Sequence, residues 1–190
     1  MRVTVSGPPG SGTTTLAEAL ASEFDLEHVS SGDVFRSMAE ERGVSLSEFN
    51  EIAENDPEID EEIDLRQKQI AKERDDIVLE GRLSGWMAEN ADLKVWLDAS
   101  REVRAERVAD REEQTPDEAL KEIREREESE AKRYEEIHGI DIHDLSVYDL
   151  VVDAERWDAD GVAEIATTAV EGLEPDEPEP GRETGAETET

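Results

Sequence analysis

Hydrophobic residues along the chain follow two patterns, short β-branched runs and longer stretches in which apolar residues recur every three or four positions. The runs RVTVS, EHVS, DIVL, KVWL and DLVVD are typical of short strands, and the periodic stretches between them are typical of amphipathic helices. Strands that alternate with helices favour a parallel sheet joined by right-handed crossovers. The pattern therefore predicts an α/β fold of three layers, in which helices cover both faces of the sheet.

The pattern also places the individual elements along the chain. The predicted strands lie at 2–6, 27–30, 76–79, 94–97 and 149–153, and the predicted helices at 13–24, 32–42, 45–54, 84–89, 101–111, 116–137 and 161–173. A further helix begins at Pro57, behind the helix-capping residue Asp56, and carries Ile59, Ile63 and Ile70 on one face.

The C-terminal segment departs from both patterns. Residues 174–190 hold acids, proline and glycine but no large apolar residue, a composition typical of disordered chains. We expect this segment to form a disordered acidic tail. The remaining residues, 1–173, have the length of one domain with a sizeable core.

Acidic side chains dominate the composition, because 53 Asp and Glu residues against 20 Lys and Arg give a formal net charge of −33. So negative a chain repels phosphate backbones and anionic lipid, which argues against nucleic acid polymers and membranes as partners. Carboxylates spread over a domain also repel one another unless salt screens them, and the Debye length is about 3 Å at 1 M salt. The charge predicts a protein of a very salty cytoplasm, with an ordinary acidic protein as the alternative.

Several absences in the sequence exclude further kinds of function. The chain has no cysteine, which rules out disulfides, thiolate zinc sites and cysteine nucleophiles. It has neither a long apolar stretch nor a positively charged leader, so we expect a soluble cytoplasmic protein. The high charge favours a monomer at low salt. His28, His138 and His143 are scattered and form no ligand pattern, so we expect them in packing or at the surface.

A glycine-rich turn follows the first predicted strand and opens the first predicted helix. Its residues Gly7-Pro-Pro-Gly-Ser-Gly-Thr-Thr14 match the phosphate-binding loop G-x-x-x-x-G-K-[ST] except at the lysine, which is Thr13 here. In such a loop the glycines and the helix N-terminus present backbone N–H groups to phosphate oxygens, and the hydroxyl of Thr14 can bind Mg2+. The sequence therefore predicts a phosphate-binding loop, with a plain glycine-rich turn as the alternative.

Arginine is concentrated in one part of this acidic chain. Seven of the 15 arginines lie within 101–133, where Arg104, Arg107 and Arg111 share one face of a predicted helix. Of these three, only Arg107 has a carboxylate three or four positions away. Arginines without nearby acids favour an anionic ligand, because the guanidinium group binds phosphate oxygens through two hydrogen bonds. Surface ion pairing is the alternative, most strongly for Arg126, which has a glutamate four positions away on either side.

Six stretches of the chain together resemble one known family. They are SGPPGSGTTT, VSSGDVFR, LRQKQIAKE, IVLEGR, VWLDAS and REREESEAKRYEEIHGIDIHDLSVYDLVVDAE, in the order that the family has them. With these motifs the chain resembles the nucleoside monophosphate kinases of the P-loop class, in particular the archaeal type of cytidylate kinase. The resemblance implies a P-loop fold with a helical lid, and transfer of the γ-phosphoryl group of ATP, bound with Mg2+, to CMP and dCMP.

The resemblance also assigns roles to residues of this chain by their position. The region 31–74 would bind the nucleoside monophosphate, and a region of about 107–133 would form the lid. ATP would bind to Gly7, Pro8, Pro9, Gly10, Ser11, Gly12, Thr13, Thr14 and Thr15, with Thr14 as the metal ligand. The acceptor nucleotide would bind to Ser31, Arg36, Arg66, Arg82 and Glu130. The catalytic residues that contact the transferring group would be Arg107, Arg126 and Arg133.

Two positions depart from the family's pattern. Thr13 stands in place of the loop lysine, although Thr-Thr-Thr loops recur in the archaeal type, and Leu83 stands where bacterial members carry Asp after Gly-Arg. Our hypothesis is that a lid arginine, or a K+ ion in high salt, supplies the charge that the lysine would bring. Two alternatives stay open, a kinase of the same fold that acts on AMP or UMP, and a nucleotide-binding switch without turnover.

Overall fold

The computed structural model describes residues 1–53, 56 and 58–173. In chain order its elements are β1 (Arg2–Ser6), α1 (Thr13–Phe24), β2 (Glu27–Ser30), α2 (Ser31–Arg42), α3 (Leu46–Ala53), α4 (Glu58–Glu73), β3 (Ile77–Glu80), α5 (Ser84–Met87), β4 (Leu93–Asp98), α6 (Arg101–Glu112), α7 (Pro116–His138), β5 (Leu150–Asp153) and α8 (Ala159–Glu171). The predicted helix start at Pro57 and the predicted tail at 174–190 lie outside the described residues.

The strands of this part of the chain form one parallel sheet in the order β2-β3-β1-β4-β5. Since parallel strands end at the same edge of a sheet, the loops after β1, β2 and β3 lie side by side. The sheet thus gathers the glycine-rich loop, the start of α2 and the segment after β3 at one edge.

Alternation of side chains along β3 shows how both faces of the sheet are covered. Val78 packs with Leu20 of α1 in the largest core cluster, which also contains apolar residues of α8. Ile77 and Leu79 point to the opposite face and pack with Ala71 of α4. The prediction of a three-layer α/β fold is therefore confirmed.

The third strand lies one residue later than the pattern predicts. Asp76 has a φ of +58°, in the left-handed region, so it belongs to the turn before the strand. Glu80 instead ends the strand and pairs in register with Ser30 of β2. This shift brings a carboxylate to the edge of the sheet where the loops meet.

Local capping signals set the ends of the long helices. Thr115 and Glu118 form a reciprocal capping box, and Pro116 is the first residue of α7. Asp158 caps α8, whose first residue is Ala159 and not Gly161, the predicted start. No helix of the described residues combines the length and the apolar character that a membrane span requires.

Candidate active site

The glycine-rich loop turns sharply between β1 and α1. Gly10 and Gly12 have φ angles of +82° and +100°, which side-chain-bearing residues rarely adopt. A Cβ atom on Gly7 would lie 2.6 Å from the carbonyl oxygen of Leu97, so only glycine fits there. Among the described residues no side chain caps the start of α1, so its first backbone N–H groups face the loop. This is the geometry of an anion-binding helix N-terminus.

The loop forms one wall of a cavity of about 800 Å³ at the carboxyl ends of the first three strands. Helices α2, α4, α6 and α7 supply the other walls. The predicted site residues that line this cavity are Gly7, Pro9, Gly10, Gly12, Thr13, Thr14, Thr15, Ser31, Arg36, Arg82, Arg126, Glu130 and Arg133. Residues that lie more than 100 positions apart in the chain, such as Thr14 and Arg133, thus line one cavity.

Glu80, a residue that the sequence reasoning did not single out, lies directly beside the loop. Its Oε1 accepts hydrogen bonds from the hydroxyls of Thr13 at 2.9 Å and Thr14 at 2.8 Å, and its Oε2 is 3.1 Å from Nε2 of His28. Burial opposes the charge on Glu80, but the hydrogen bonds from His28, Thr14 and Thr13 hold its pKa below the usual value. The site therefore contains an ionised carboxylate against the loop hydroxyls.

The signal for Glu80 was available in the sequence. It is an acid next to a glycine at the end of a buried parallel strand, where it must lie at the edge that carries the loop. His28 is partly buried, and its ring contacts this carboxylate, a contact that its position in the sequence did not predict. His138 is likewise paired with a carboxylate, that of Asp64 at 2.9 Å.

Glu130 of α7 joins two arginines that come from different elements. Its side chain is buried, with 4% of the residue exposed. Oε2 accepts from Nε of Arg82 at 3.0 Å, and Oε1 accepts from Nε of Arg126 at 2.7 Å. Arg82 also lies over the ring of Trp96, and its buried Nη1 has no hydrogen-bond partner in the described part of the chain. Glu130 thus holds both arginines in place, and Arg82 keeps one donor for an anion.

Two predicted loop residues and two predicted arginines, Arg66 and Arg107, do not line this cavity. Pro8 and Ser11 form the inner side of the turn, where the N–H of Ser11 donates to the carbonyl of Pro8 at 3.1 Å. Arg107 lies on the far side of the loop and donates to the carbonyl oxygens of Ser11 and Ala154. There it lines a second cavity of about 210 Å³, together with Trp157.

Arg66 and Arg104 form ion pairs with carboxylates of neighbouring helices. Arg66 of α4 forms a two-pronged ion pair with Glu41 of α2, with both N–O distances 2.7 Å, and also pairs with Glu62, so its role in binding the acceptor stays a prediction. Buried Arg104 pairs with Glu127 of α7 at 2.6 Å. The expectation that Arg104 is available to an anionic ligand is wrong, because its partner comes from another helix and not from its own.

Most of the chain can be compared with known proteins. Residues 2–156 match the cytidylate kinase-like family. The chain belongs to this family. It is 53% identical to the cytidylate kinase of Halobacterium salinarum over 92% of this chain and 91% of that one. It is 54% identical to the cytidylate kinase of Pyrococcus furiosus over 91% of this chain and 90% of that one. The resemblance found from the motifs is confirmed.

The solved structures support the fold of this family member. Shikimate kinase from Bacteroides thetaiotaomicron aligns with a TM-score of 0.61 at 18% identity, over 90% of this chain and 98% of that one. At such low identity the likeness shows the fold alone, which is that of the P-loop kinases. Membership of the cytidylate kinase-like family makes the protein an enzyme, a phosphotransferase.

Ten further residues line the cavity in this kinase, and the resemblance gave none of them an individual role. They are Ser30, Gly32, Phe35, Ile63, Asp64, Glu80, Gly81, Arg111, Ser129 and Tyr134. Phe35, Ile63 and Tyr134 bring apolar surface into a cavity that is otherwise polar. Burial and the neighbouring carboxylates of Glu130 and Asp64 raise the pKa of Tyr134, so its phenol is neutral. A planar, uncharged ring system fits such a wall.

The site fits a magnesium ion that is shared with a substrate. Mg2+ takes oxygen ligands and is usually held by one or two protein groups together with phosphates of the substrate. The hydroxyl of Thr14 and the carboxylate of Glu80 are such groups, 2.8 Å apart. In the described residues there is no cluster of three or more His, Asp or Glu side chains that could hold a metal ion.

Proposed function

We propose that this member of the family transfers the γ-phosphoryl group of ATP to CMP, and to dCMP, to give the diphosphate and ADP. One observation carries the proposal: a phosphate-binding loop and the arginines at 36, 82, 126 and 133 line a single cavity. A protein that only bound ATP would have no need of a second group of arginines. The relatives in Halobacterium salinarum and Pyrococcus furiosus carry the name cytidylate kinase, which supports CMP as the acceptor.

The donor ATP would lie along the loop, with its phosphates on the backbone N–H groups of residues 7–15. The second cavity, on the far side of the loop, would take the base, since Leu16, Leu97 and Val162 make it largely apolar. Arg107 faces this second cavity, so we propose that it contacts the donor nucleotide and not the transferring group. In this arrangement the γ-phosphate points into the large cavity.

The acceptor would bind in the large cavity, between α2 and Arg82 after β3. The amide of buried Gln67 donates a hydrogen bond to the hydroxyl of Ser31 at 2.7 Å, and Arg36 lies five residues further along α2. These groups, with Arg82, would hold the phosphate and sugar, while Phe35 would lie against the base. We propose that 31–74 is the monophosphate-binding region and that about 107–133 is the lid.

Phosphoryl transfer here requires placement and charge neutralisation, without a covalent intermediate on the protein. An oxygen of the acceptor phosphate forms a bond to the γ phosphorus, and the bond to the bridging oxygen of ADP breaks in line. Arg126 and Arg133 would neutralise the charge on the transferring group, while α7 would exclude water. Thr14 and Glu80 would hold Mg2+, which supplies positive charge at the β- and γ-phosphates when bound.

The charge of the chain supports a proposal about its surroundings. With a net charge of −33, we propose that the protein works as a monomer in a cytoplasm of high salt. It would bind nucleotides as single molecules and neither nucleic acid polymers nor membranes.

A steady-state assay in molar KCl tests the proposed reaction. The protein is given MgATP with CMP, dCMP, UMP or AMP in turn, and both ADP and the diphosphate product are measured. We expect the highest kcat/KM with CMP and dCMP. A higher kcat/KM with UMP or AMP would show that this nucleotide, and not CMP, is the acceptor. If none of the four gave ADP, phosphoryl transfer would be refuted.

A further inference from the structure

We propose that His28 is a positioning residue of the kinase, which holds one oxygen of Glu80 so that the other keeps the loop hydroxyls of Thr13 and Thr14 in place. His28 is on the edge strand β2 and does not line the large cavity. It would therefore act through Glu80 and not on the nucleotides. The inference rests on the proposed function, because it concerns the loop that would hold the donor.

The register of two neighbouring strands brings His28 to Glu80. In the parallel pair of β2 and β3, His28 is opposite Val78 and Ser30 is opposite Glu80. Side chains two residues apart point to the same face, so His28 and Glu80 are diagonal neighbours on the face that α1 covers. The imidazole reaches across this diagonal, and its Nε2 lies 3.1 Å from Oε2 of the carboxylate.

The carboxylate of Glu80 is engaged on both of its oxygens. Oε2 contacts His28, and Oε1 accepts from two consecutive residues of the loop, Thr13 and Thr14. Only 12% of the Glu80 side chain is exposed, so water is a poor substitute for a lost partner. Without His28 the carboxylate would turn its free oxygen toward the cavity, and its hydrogen bonds to the loop would break.

This contact matters more in this chain than in a loop with a lysine. Thr13 occupies the lysine position, so the start of α1 carries no charged side chain that could be attracted to the phosphates. The hydroxyl of Thr13 is directed to Glu80 instead. The loop is thus anchored from the neighbouring strands by the chain of contacts from Thr13 through Glu80 to His28. Groups that orient a metal-binding residue in this way typically change activity or metal affinity by about 10- to 100-fold.

Two substitutions that differ only in reach test the inference. His28→Gln places an amide near the position of Nε2 and can still donate to Glu80, whereas the shorter amide of His28→Asn cannot. His143→Ala is the control, because His143 is exposed and lies away from the cavity. Each variant is assayed for kcat, for KM with MgATP and CMP, and for the Mg2+ concentration that gives half of the maximal rate. Thermal unfolding of each variant is recorded in the same buffer.

We expect His28→Asn to lower kcat by at least about 10-fold and to raise the required Mg2+ concentration, with an unchanged KM for CMP. His28→Gln should recover most of the activity, and His143→Ala should match the original protein. Equal activity of the Asn and Gln variants would overturn the inference, as would a loss that follows thermal stability alone. If the original protein makes no ADP, the proposed reaction is refuted, but the role of His28 can still be tested. ATP binding is then measured as a function of Mg2+ concentration in the same variants.

Discussion

Glu130 and Arg82 form a buried ion pair that joins the long helix α7 to the segment after β3. Oε2 of the glutamate lies 3.0 Å from Nε of the arginine, and the two residues are 48 positions apart in the chain. The same carboxylate accepts from Arg126 through its other oxygen. A single buried acid therefore sets the position of two groups in the proposed catalytic cavity.

Replacing Glu130 should cost stability, because Arg82 would keep its charge in a buried place without a counter-charge. We expect Glu130→Ala to lower the free energy of unfolding by about 3 kcal/mol. Urea unfolding of the complete chain at constant salt measures this. Glu128→Ala, an exposed position on the same helix, should change it by less than about 0.5 kcal/mol. Equal losses in the two variants would contradict a role of the buried pair.

Arg126 offers a test of catalysis with little interference from folding. Its side chain is 64% exposed, yet it lines the cavity beside Glu130. We expect Arg126→Ala to lower kcat by about 100-fold, because one preorganised cation at the transferring group would be lost. Arg124→Ala is the matched control, since Arg124 is exposed on the same helix and does not line the cavity. A kcat that stays within twofold of the original in both variants would remove Arg126 from the mechanism.

Thr13→Lys restores the charge that this loop lacks. If a K+ ion supplies that charge, the rate of the original protein should rise with KCl, and the rate of the lysine variant should depend on KCl much less. The measurement is kcat with MgATP and CMP across a KCl series, with tetramethylammonium chloride as a control for ionic strength. An unaltered dependence in the variant would exclude K+ and leave a lid arginine as the source of charge.

The excess of carboxylates predicts that salt stabilises the folded chain. Raising KCl from a dilute buffer to molar concentration should raise the melting temperature, because screening weakens repulsion among acidic side chains. A melting curve followed by circular dichroism at several KCl concentrations measures this. If the melting temperature did not change, the interpretation of the composition as an adaptation to salt would be lost.

Asp33 links the stability of α2 to pH. Partial burial disfavours its charge, but hydrogen bonds from Ser30 and Arg36 lower its pKa to about 2, from an ordinary value of 3.8. A carboxyl whose folded pKa is depressed stabilises the fold above the unfolded pKa and loses this effect as the pH falls through the folded one. We expect Asp33→Asn to be less stable than the original near neutral pH, by about 1 kcal/mol. The difference should shrink between about pH 4 and pH 2 in unfolding curves, and a constant difference would contradict the assignment.

Local patterns in the sequence were sufficient for much of the fold and part of the site. The fold class followed from strand and helix periodicities, which depend on each segment alone. The glycine-rich loop could be predicted from its residues, because the positive φ angles at positions 10 and 12 require glycine there. The order of the strands in the sheet could not be predicted from the sequence, since it depends on contacts between segments that are far apart in the chain. The one-residue shift of β3 likewise depended on the turn at Asp76.

By itself, then, the sequence determined the α/β class, the phosphate-binding loop and the arginine-rich character of α6 and α7, because these follow from local residue patterns. Only the tertiary structure decided which charged groups meet. Glu127 neutralises Arg104 from another helix, and Glu130 holds Arg82 from across the cavity. The pairing of Glu80 with the loop was decided in the same way. Electrostatic partners are set by distance in space, and only the packing of sheet and helices fixes that distance.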